Sequence, residues 1–197
     1  LVYKIQGQHD RAIALFTQTL EIARDIGDKL GEGVDLGNLA SVYVIQGQYD
    51  RAIDLFTQAL RMAREIGDRR LEGVWLGNLG DALFHQKRLD EADETLRKAI
   101  PIADQTFPVA AGSFRGTLAL LLAQQGQHAE AKRLLETGKN QVRHAPEEHA
   151  KLLCKSAEVS HIAGDESGTQ EALTRAREIA DSLQVSEHSE LGLLVAR

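Results

Sequence analysis

Apolar residues recur at intervals of three and four positions along almost the whole chain. Leu36, Leu39, Ala40 and Tyr43 form one such set, and a second set begins at Ala52. This spacing places each set on one face of an amphipathic helix. No stretch alternates with a period of two, so we expect no strands. The pattern predicts helices near residues 9–26, 29–46, 49–66, 69–86, 89–104, 108–125, 128–143, 147–163 and 167–184, followed by a short terminal helix.

Glycine and aspartate mark the predicted helix ends. The triplet Ile-Gly-Asp, at 26–28 and 66–68, separates the units, and its aspartate is placed to cap the next helix. Pro101 falls inside a predicted helix, which we expect to kink or stop there because proline removes a backbone hydrogen bond. Within the units, a glycine that can end a helix in the left-handed conformation stands at Gly7, Gly47, Gly126 and Gly164.

The helices fall into a repeating unit of about forty residues. Aligning residues 6–40 with residues 46–80 gives 24 identities in 35 positions. Repeats of this length are stacked helix pairs, and each pair buries its apolar face against its neighbours. The small residue at the centre of each unit's second helix is Ala12, Ala52, Ala92, Ala131 and, less faithfully, Thr169.

Composition narrows the class of protein. The chain has 197 residues, 43% of them hydrophobic and 26% charged, which is typical of a soluble protein with a substantial core. Without an apolar run long enough for a membrane span or a leader segment, the sequence predicts a cytoplasmic protein. Its formal charge of -6 has no long runs of one sign, which speaks against nucleic acid or a membrane as the partner. Cys154, the only cysteine, is predicted to be a buried, unreactive thiol.

Nine of these positions together resemble the tetratricopeptide repeat, in the longer form of LGN-like and kinesin-light-chain-like arrays. They are Leu36, Leu39, Ala40, Tyr43, Gly47, Tyr49, Ala52, Phe56 and Ala59. The pattern is clearest in residues 33–66 and 73–104 and weakens towards 150–184. The resemblance implies an all-α fold, a right-handed α-solenoid of stacked antiparallel helix pairs. It also implies a concave groove, lined by the first helix of each pair, that holds a peptide of another protein.

The repeat register divides the chain into an array and a terminal segment. We expect an array over residues 1–184, made of a partial repeat at 1–27 and repeats at 28–67, 68–106, 107–145 and 146–184. Residues 1–7 match residues 41–47, within a first helix, and the chain does not begin with methionine, so we predict a fragment of a larger protein. Residues 185–197 leave the pattern, and Leu191, Leu193 and Leu194 predict a helix that caps the last unit.

The geometry of the family assigns one stripe of each first helix to the groove. Gly37 and Gly77 are expected to let a peptide main chain approach closely. Asn38 and Asn78 are the central residues, because a carboxamide both donates to and accepts from a peptide backbone. The alternative is that they bond only the neighbouring helix. The predicted peptide-binding residues are Val34, Asn38, Ser41, Val44, Ile45, Val74, Trp75, Asn78, Asp81, Phe84, His85 and Thr117.

The same stripe predicts the character of the ligand. LGN-like arrays that take acidic ligands tend to carry arginine where this sequence has Val34 and Val74. Asp81 adds negative charge, so we expect an apolar or mildly basic segment. The basic residues by which chaperone-binding arrays hold a C-terminal carboxylate are absent at Val34, Val74 and Ser113, so we do not predict a clamp for a chaperone tail. Thr117 and Lys155 stand at the equivalent positions of the later repeats. We therefore expect only Asn38 and Asn78 to bind a peptide backbone through a carboxamide.

No pattern in the sequence predicts catalysis. The seven histidines lack the spacing to carboxylate or cysteine partners that a metal site needs. His85 and Asp81 form only a single pair four residues apart. No glycine-rich phosphate loop, nucleophile elbow or zinc signature occurs. We therefore predict neither a cofactor nor an enzyme activity.

Trp75 is the only tryptophan, and it raises a specific question. Its equivalent in the preceding unit is Asp35, whereas the later units carry Phe114 and Leu152. One interpretation is an aromatic anchor for a ligand. The other is a packing slot between repeats, which is apolar wherever a complete unit precedes it. The trend along the array favours the packing slot.

Two functions fit these observations. The first is a protein-protein interaction module that binds an extended or helical peptide in its groove, as the scaffold or sensor part of a larger, bacterial signalling protein. The second is a structural or self-associating array whose groove is filled by another copy or by preceding repeats. Both functions are consistent with the expected exposure of apolar side chains at Val34, Val44, Ile45 and Phe84, because exposed apolar patches mark interaction surfaces without identifying the partner. We expect a monomer or a weak homodimer.

Overall fold

The chain forms α-helices throughout its described part. This computed structural model describes residues 9–185 and 190–195, apart from the side chains of residues 190 and 193. The helices predicted from periodicity are confirmed to within two residues at each end. Residues 1–7 and the side chain of Leu193, for which predictions were made, lie outside the described part. In chain order the helices are α1 (His9–Ile26), α2 (Lys29–Ile45), α3 (Tyr49–Glu65), α4 (Arg69–His85), α5 (Leu89–Thr106), α6 (Pro108–Gln124), α7 (His128–Val142), α8 (Pro146–Ile162), α9 (Glu166–Ser182) and α10 (Glu190–Val195).

The helix ends follow the glycine and aspartate signals. Asp28 and Asp68 cap α2 and α4, each accepting a hydrogen bond of 2.9 Å from the backbone N–H three residues on. Lys87, between α4 and α5, adopts the left-handed conformation with φ of 67° although it is not glycine. The predicted left-handed glycines have φ of 72° at Gly47, 79° at Gly126 and 75° at Gly164, and Gly7 lies outside the described part.

The sequence predicted that the helix would kink or stop at Pro101. It does not stop there. α5 continues from Leu89 through Pro101 to Thr106, and Pro101 is exposed. A proline on the exposed side of a helix frees a carbonyl group that water can reach, which limits the cost of the lost hydrogen bond.

The chain divides into two compact units, residues 1–106 and residues 107–197. In the first unit each helix from α1 to α5 packs against the next, and α2 also lies beside α4. Ala52, Phe56 and Ala59 of α3, and Ala92 and Leu96 of α5, have almost no exposed surface. The small residues at the centres of the second helices therefore let neighbouring helices approach closely.

The second unit is organised around α8, which packs against α6, α7, α9 and α10. α6 and α7 meet at two glycines: a Cβ on Gly112 or on Gly138 would lie 2.9 Å from the carbonyl oxygen of the other. Leu191 of α10 is buried in a cluster with Ala150 and Ala180. The short helix α10 thus covers apolar surface of α8 and α9, while the capping role of the whole segment 185–197 stays a prediction.

An ion pair recurs where one helix pair of the first unit meets the next. Arg24 Nε lies 2.9 Å from Glu32 Oε1, and Arg64 Nε lies 3.0 Å from Glu72 Oε1. Burial raises the pKa of Glu72, but hydrogen bonds from Arg64 and Arg69 outweigh this effect, and the pKa lies below its ordinary value. The ionised carboxylate therefore ties α3 to α4, and its contribution to stability falls only as the pH drops below that ordinary value.

Trp75 fills a slot between successive helix pairs. Its side chain is only 6% exposed, and its ring lies 6.2 Å from that of Phe56 on α3, centroid to centroid. On the other side the indole lies against the backbone of α2, because a Cβ on Gly37 would approach three of its ring atoms to within 2.5–2.6 Å. Trp75 of α4 therefore packs against both helices of the preceding pair.

The contact between Trp75 and Gly37 predicts the effect of two glycine substitutions on α2. Gly37→Ala is expected to lower the free energy of unfolding by about 1–3 kcal/mol, because the added methyl group overlaps the indole. Gly33→Ala is the matched control: its Cβ would lie 3.4 Å from that of Met62, and alanine favours a helix over glycine by about 0.5–1 kcal/mol. Urea denaturation measures both. Equal stability of the two variants would contradict the packing described for Trp75.

Candidate functional site

The predicted binding stripe forms one continuous face on each of two neighbouring helices. On α2, Val34, Asn38, Ser41 and Ile45 follow one another at intervals of four and three, and all are partly exposed. α4 lies beside α2 and carries the equivalent residues. Of these Val74, Asn78 and Asp81 are partly exposed, and His85 is exposed.

Asn38 and Asn78 hold their carboxamides at this surface without a partner among the described residues. Both side chains are partly exposed, and neither forms a hydrogen bond with any residue in the described part of the chain. Ser41 differs, because its hydroxyl group donates to the carbonyl oxygen of Gly37 at 2.9 Å within its own helix. The alternative that the asparagines only bond the neighbouring helix therefore finds no such bond among the described residues.

Three of the predicted binding residues are buried instead of exposed. Trp75 is 6% exposed, Phe84 is 4% exposed and Thr117 is 2% exposed. The expectation of exposed apolar surface at Phe84 is wrong, since its side chain is buried in the first unit; the ammonium group of Lys87 lies 5.6 Å from the centre of its ring. A residue with so little accessible surface offers a ligand almost no contact area. Gly37, expected to admit a peptide main chain, is covered by the indole of Trp75.

The end of α4 is fixed against the preceding helix pair. The ring of His85 stacks on that of Tyr49, at the start of α3, with centroids 5.4 Å apart and planes 11° apart. The side-chain amide of Gln86 donates to the carboxylate of Asp50 beside this stack. The exposed imidazole of His85 therefore has a defined position at one end of the stripe.

Asp81 gives the stripe its negative charge. One of its carboxylate oxygens is buried and accepts no hydrogen bond from any described residue. A buried acceptor without a donor costs free energy, and a donor brought by a ligand would relieve that cost. Asp81 therefore favours a ligand group that donates hydrogen bonds or carries positive charge.

The equivalent stripe of the second unit is occupied by the protein's own groups. The ammonium group of Lys155 donates to the hydroxyl group of the buried Thr117. Ser113 donates to Glu148 Oε2 at 2.6 Å, and Glu148 Oε1 lies 3.0 Å from Lys151 Nζ. Sequence reasoning missed Lys151, although its pairing with Glu148, three positions earlier, was visible in the sequence. Thr117 thus belongs to an internal network and not to an open surface.

Groups suited to chemistry are sparse in the described part of the chain. There, no three His, Cys, Asp or Glu side chains lie together as a metal site would need. Burial raises the pKa of the Cys154 thiol, and the charge of Glu158 raises it further, which keeps the thiol protonated. Its predicted burial is confirmed. Among the described helices, none has the length and apolar character to cross a membrane.

Comparison with known proteins adds a family and a fold. The family model described as tetratricopeptide repeat matches residues 1–65, 34–105 and 71–143. The kinesin-light-chain-like, nearly identical repeats of Podospora anserina share 21% sequence identity, with a TM-score of 0.64 over 92% of this chain and 91% of theirs. A Rap protein in complex with Competence and Sporulation Factor shares 16% identity, with a TM-score of 0.75 over 100% of this chain and 59% of its own. The apo form of RapI shares 16% identity, with a TM-score of 0.70 over 93% and 81%. No curated protein matches the sequence.

The hydrogen bond between Lys155 and Thr117 predicts coupling between these two residues. Thr117→Val removes the acceptor at nearly constant volume, and Lys155→Met removes the donor. Each single variant is expected to unfold more easily than the original chain, and the double-mutant cycle is expected to give a coupling energy of about 1 kcal/mol. Thermal or urea unfolding of the four proteins measures it. Additive effects would show that Thr117 is not held by Lys155.

Proposed function

Because the chain belongs to the tetratricopeptide repeat family, we propose that the stripe on α2 and α4 binds an extended or helical peptide segment of a partner protein. The observation that carries this proposal is the pair of partly exposed carboxamides, Asn38 and Asn78, without hydrogen-bond partners among the described residues. A carboxamide can pair with the backbone of any peptide, whatever its side chains are. The all-α solenoid fold shared with the Rap complex supports the same role.

The residues around the asparagines define the preferred peptide. Val34 and Val74 provide apolar surface next to Asn38 and Asn78 on their helices. Asp81 provides a carboxylate oxygen without a donor. A segment with apolar side chains and one basic or hydrogen-bond-donating side chain satisfies both features. In this proposal the chain is the scaffold or sensor part of a larger, bacterial signalling protein.

Substitution of the two asparagines tests this proposal. A random peptide library displayed on phage is selected against the whole chain, and the selected peptide is synthesised. We expect Asn38→Ala with Asn78→Ala to weaken its binding by about 20-fold to 30-fold, since two hydrogen bonds contribute about 1 kcal/mol each. Fluorescence anisotropy gives the affinities.

Two other carboxamides serve as matched controls. Gln18 is exposed on α1 and Gln58 is partly exposed on α3, both away from the stripe, and substitution of either by alanine is expected to leave the affinity unchanged. If the selected peptides bind the double asparagine variant as tightly as the original chain, the proposed site is wrong.

A self-associating array is the second candidate function, and one apolar surface favours it. Leu15, Ile22 and Ile26 on α1 and Leu30 on α2 are between 43% and 72% exposed. Large apolar side chains grouped on a surface mark interaction sites. A second copy of the chain could cover these four residues.

Sedimentation velocity distinguishes the two candidates. Under the peptide-binding proposal the chain sediments as a monomer or weak dimer over a wide range of concentration, and Ile22→Glu leaves its sedimentation unchanged. A stable dimer that Ile22→Glu converts to monomer would instead assign the surface to self-association. Thr17→Glu, which adds the same charge at an exposed position of the same helix about 140° from Ile22 around the helix axis, is the matched control.

A further inference from the structure

A second concave feature lies within the second unit, apart from the stripe of the proposed function. It is a cleft of about 470 Å³ between α7, α8 and α9. On α8 its walls include His149, Leu153 and Ser156. Residues two positions apart on an α-helix are rotated by about 200° about the helix axis. His149 and Leu153, two positions before Lys151 and Lys155, therefore lie on the opposite face of α8. The volume falls in the range of pockets that hold small molecules, about 300–1,000 Å³.

The floor of the cleft is apolar. It is lined by Leu135 of α7, by Leu153 and Val159 of α8, by Ala163 just after α8, and by Ala172 of α9. Leu135, Leu153 and Val159 are each only 3–5% exposed, so an apolar ligand gains contact area from the floor as a whole, with the exposed Ala163, and little from any one of these side chains. Such a floor favours a ligand with an apolar body, because binding removes apolar surface of both the protein and the ligand from water.

One end of the cleft is basic. Lys139 lies in the last turns of α7, His149 in the first turn of α8, and Arg175 in the second half of α9, and all three line the cleft. Consecutive helices of such pairs run in opposite directions, so the last turns of α7, the start of α8 and the second half of α9 lie beside one another. Two cations and an imidazole therefore share one end of an apolar cleft.

This charge is only partly neutralised by the protein. Lys139 Nζ lies 3.0 Å from Glu136 Oε1. Arg175 forms no hydrogen bond or ion pair with any residue in the described ranges, although Glu171 and Glu178 stand four positions before it and three after it. The imidazole of His149 likewise has no hydrogen-bond partner among them.

His149 is affected both by burial and by the neighbouring charges. Burial lowers its pKa from the ordinary value, and the charges of Arg175 and Lys139 lower it further. The charged or titratable groups that line the cleft are His128, Lys132, Glu136 and Lys139 on α7, His149 on α8, and Asp165, Glu171 and Arg175 on α9. Of these, Asp165 is engaged in capping α9, where it accepts a hydrogen bond of 2.8 Å from the backbone N–H of Gly168.

We propose that this cleft binds a small amphipathic carboxylate, with its charged group between Lys139, His149 and Arg175 and its apolar chain along the floor. Arg175 supplies the guanidinium group that pairs with a carboxylate in two hydrogen bonds. The negative charge of the ligand favours protonated His149, so its binding raises the pKa of that histidine and becomes tighter as the pH falls. This site is independent of the peptide-binding stripe.

Hexanoate is the probe that tests the site, with the whole chain as the protein. Nuclear magnetic resonance follows the ring protons of His149 during the titration. A saturable shift is expected, together with a rise in the pKa of His149. Acetate, which lacks the apolar chain, is expected to bind about tenfold more weakly, and hexylammonium, which has the opposite charge, is expected to cause no saturable shift.

Two arginine substitutions on α9 identify the charged end. Arg175→Ala is expected to weaken hexanoate binding about tenfold and to raise the pKa of His149 in the free protein. Arg177→Ala removes the same charge at an exposed position that does not line the cleft, and it is expected to leave binding unchanged. Arg175→Lys, which keeps the charge, is expected to retain most of the affinity. Hexanoate binding that equals acetate binding, or that survives Arg175→Ala unchanged, would overturn the proposal.

Discussion

The arrangement of the first unit depends on the contact of one indole with two helices. Trp75 lies between the ring of Phe56 and the bare backbone of Gly37, and it thereby fixes α4 against α2 and α3. Burial of an indole contributes on the order of 2–3 kcal/mol. The same contact sets the position of Asn78, one turn further along α4, relative to Asn38 on α2. The candidate binding surface is thus a consequence of how one helix pair packs on the next.

The helices could be predicted from the sequence because their causes are local. The interval of three and four between apolar residues defines a helix by itself, and Asp28 and Asp68 cap the helices that they precede. Lys87 shows the limit of this reasoning. It takes a left-handed backbone where the other units have glycine, so the repeat register, and not the residue type, locates that turn. Pro101 shows the same limit, since its exposure lets α5 continue.

The candidate site could be predicted only in part, because burial depends on neighbouring helices. The stripe through Asn38 and Asn78 came from the family resemblance, and both side chains are partly exposed in the structure. Phe84 was expected to be exposed on the same helix, yet it is buried, with His85 and Lys87 beside its ring. Thr117 stands where the earlier repeats carry asparagine, and it was predicted to contact the ligand. In the structure its hydroxyl group instead accepts a hydrogen bond from Lys155 of the next repeat. Contacts between repeats cannot be read from one repeat alone.

The two surfaces proposed for binding share one physical property. In each, polar groups are held in place by the packing of helices and left without partners among the described residues: the carboxamides of Asn38 and Asn78, and the guanidinium group of Arg175. Where the protein supplies the partner, as Lys155 does for Thr117, the surface is closed to a ligand. A repeated fold makes this contrast visible, because equivalent positions carry the same geometry with different side chains. A missing partner alone does not mark such a surface, because the buried indole N–H of Trp75 also lacks one among the described residues. In the two proposed surfaces the polar side chains are, in addition, exposed or partly exposed to solvent.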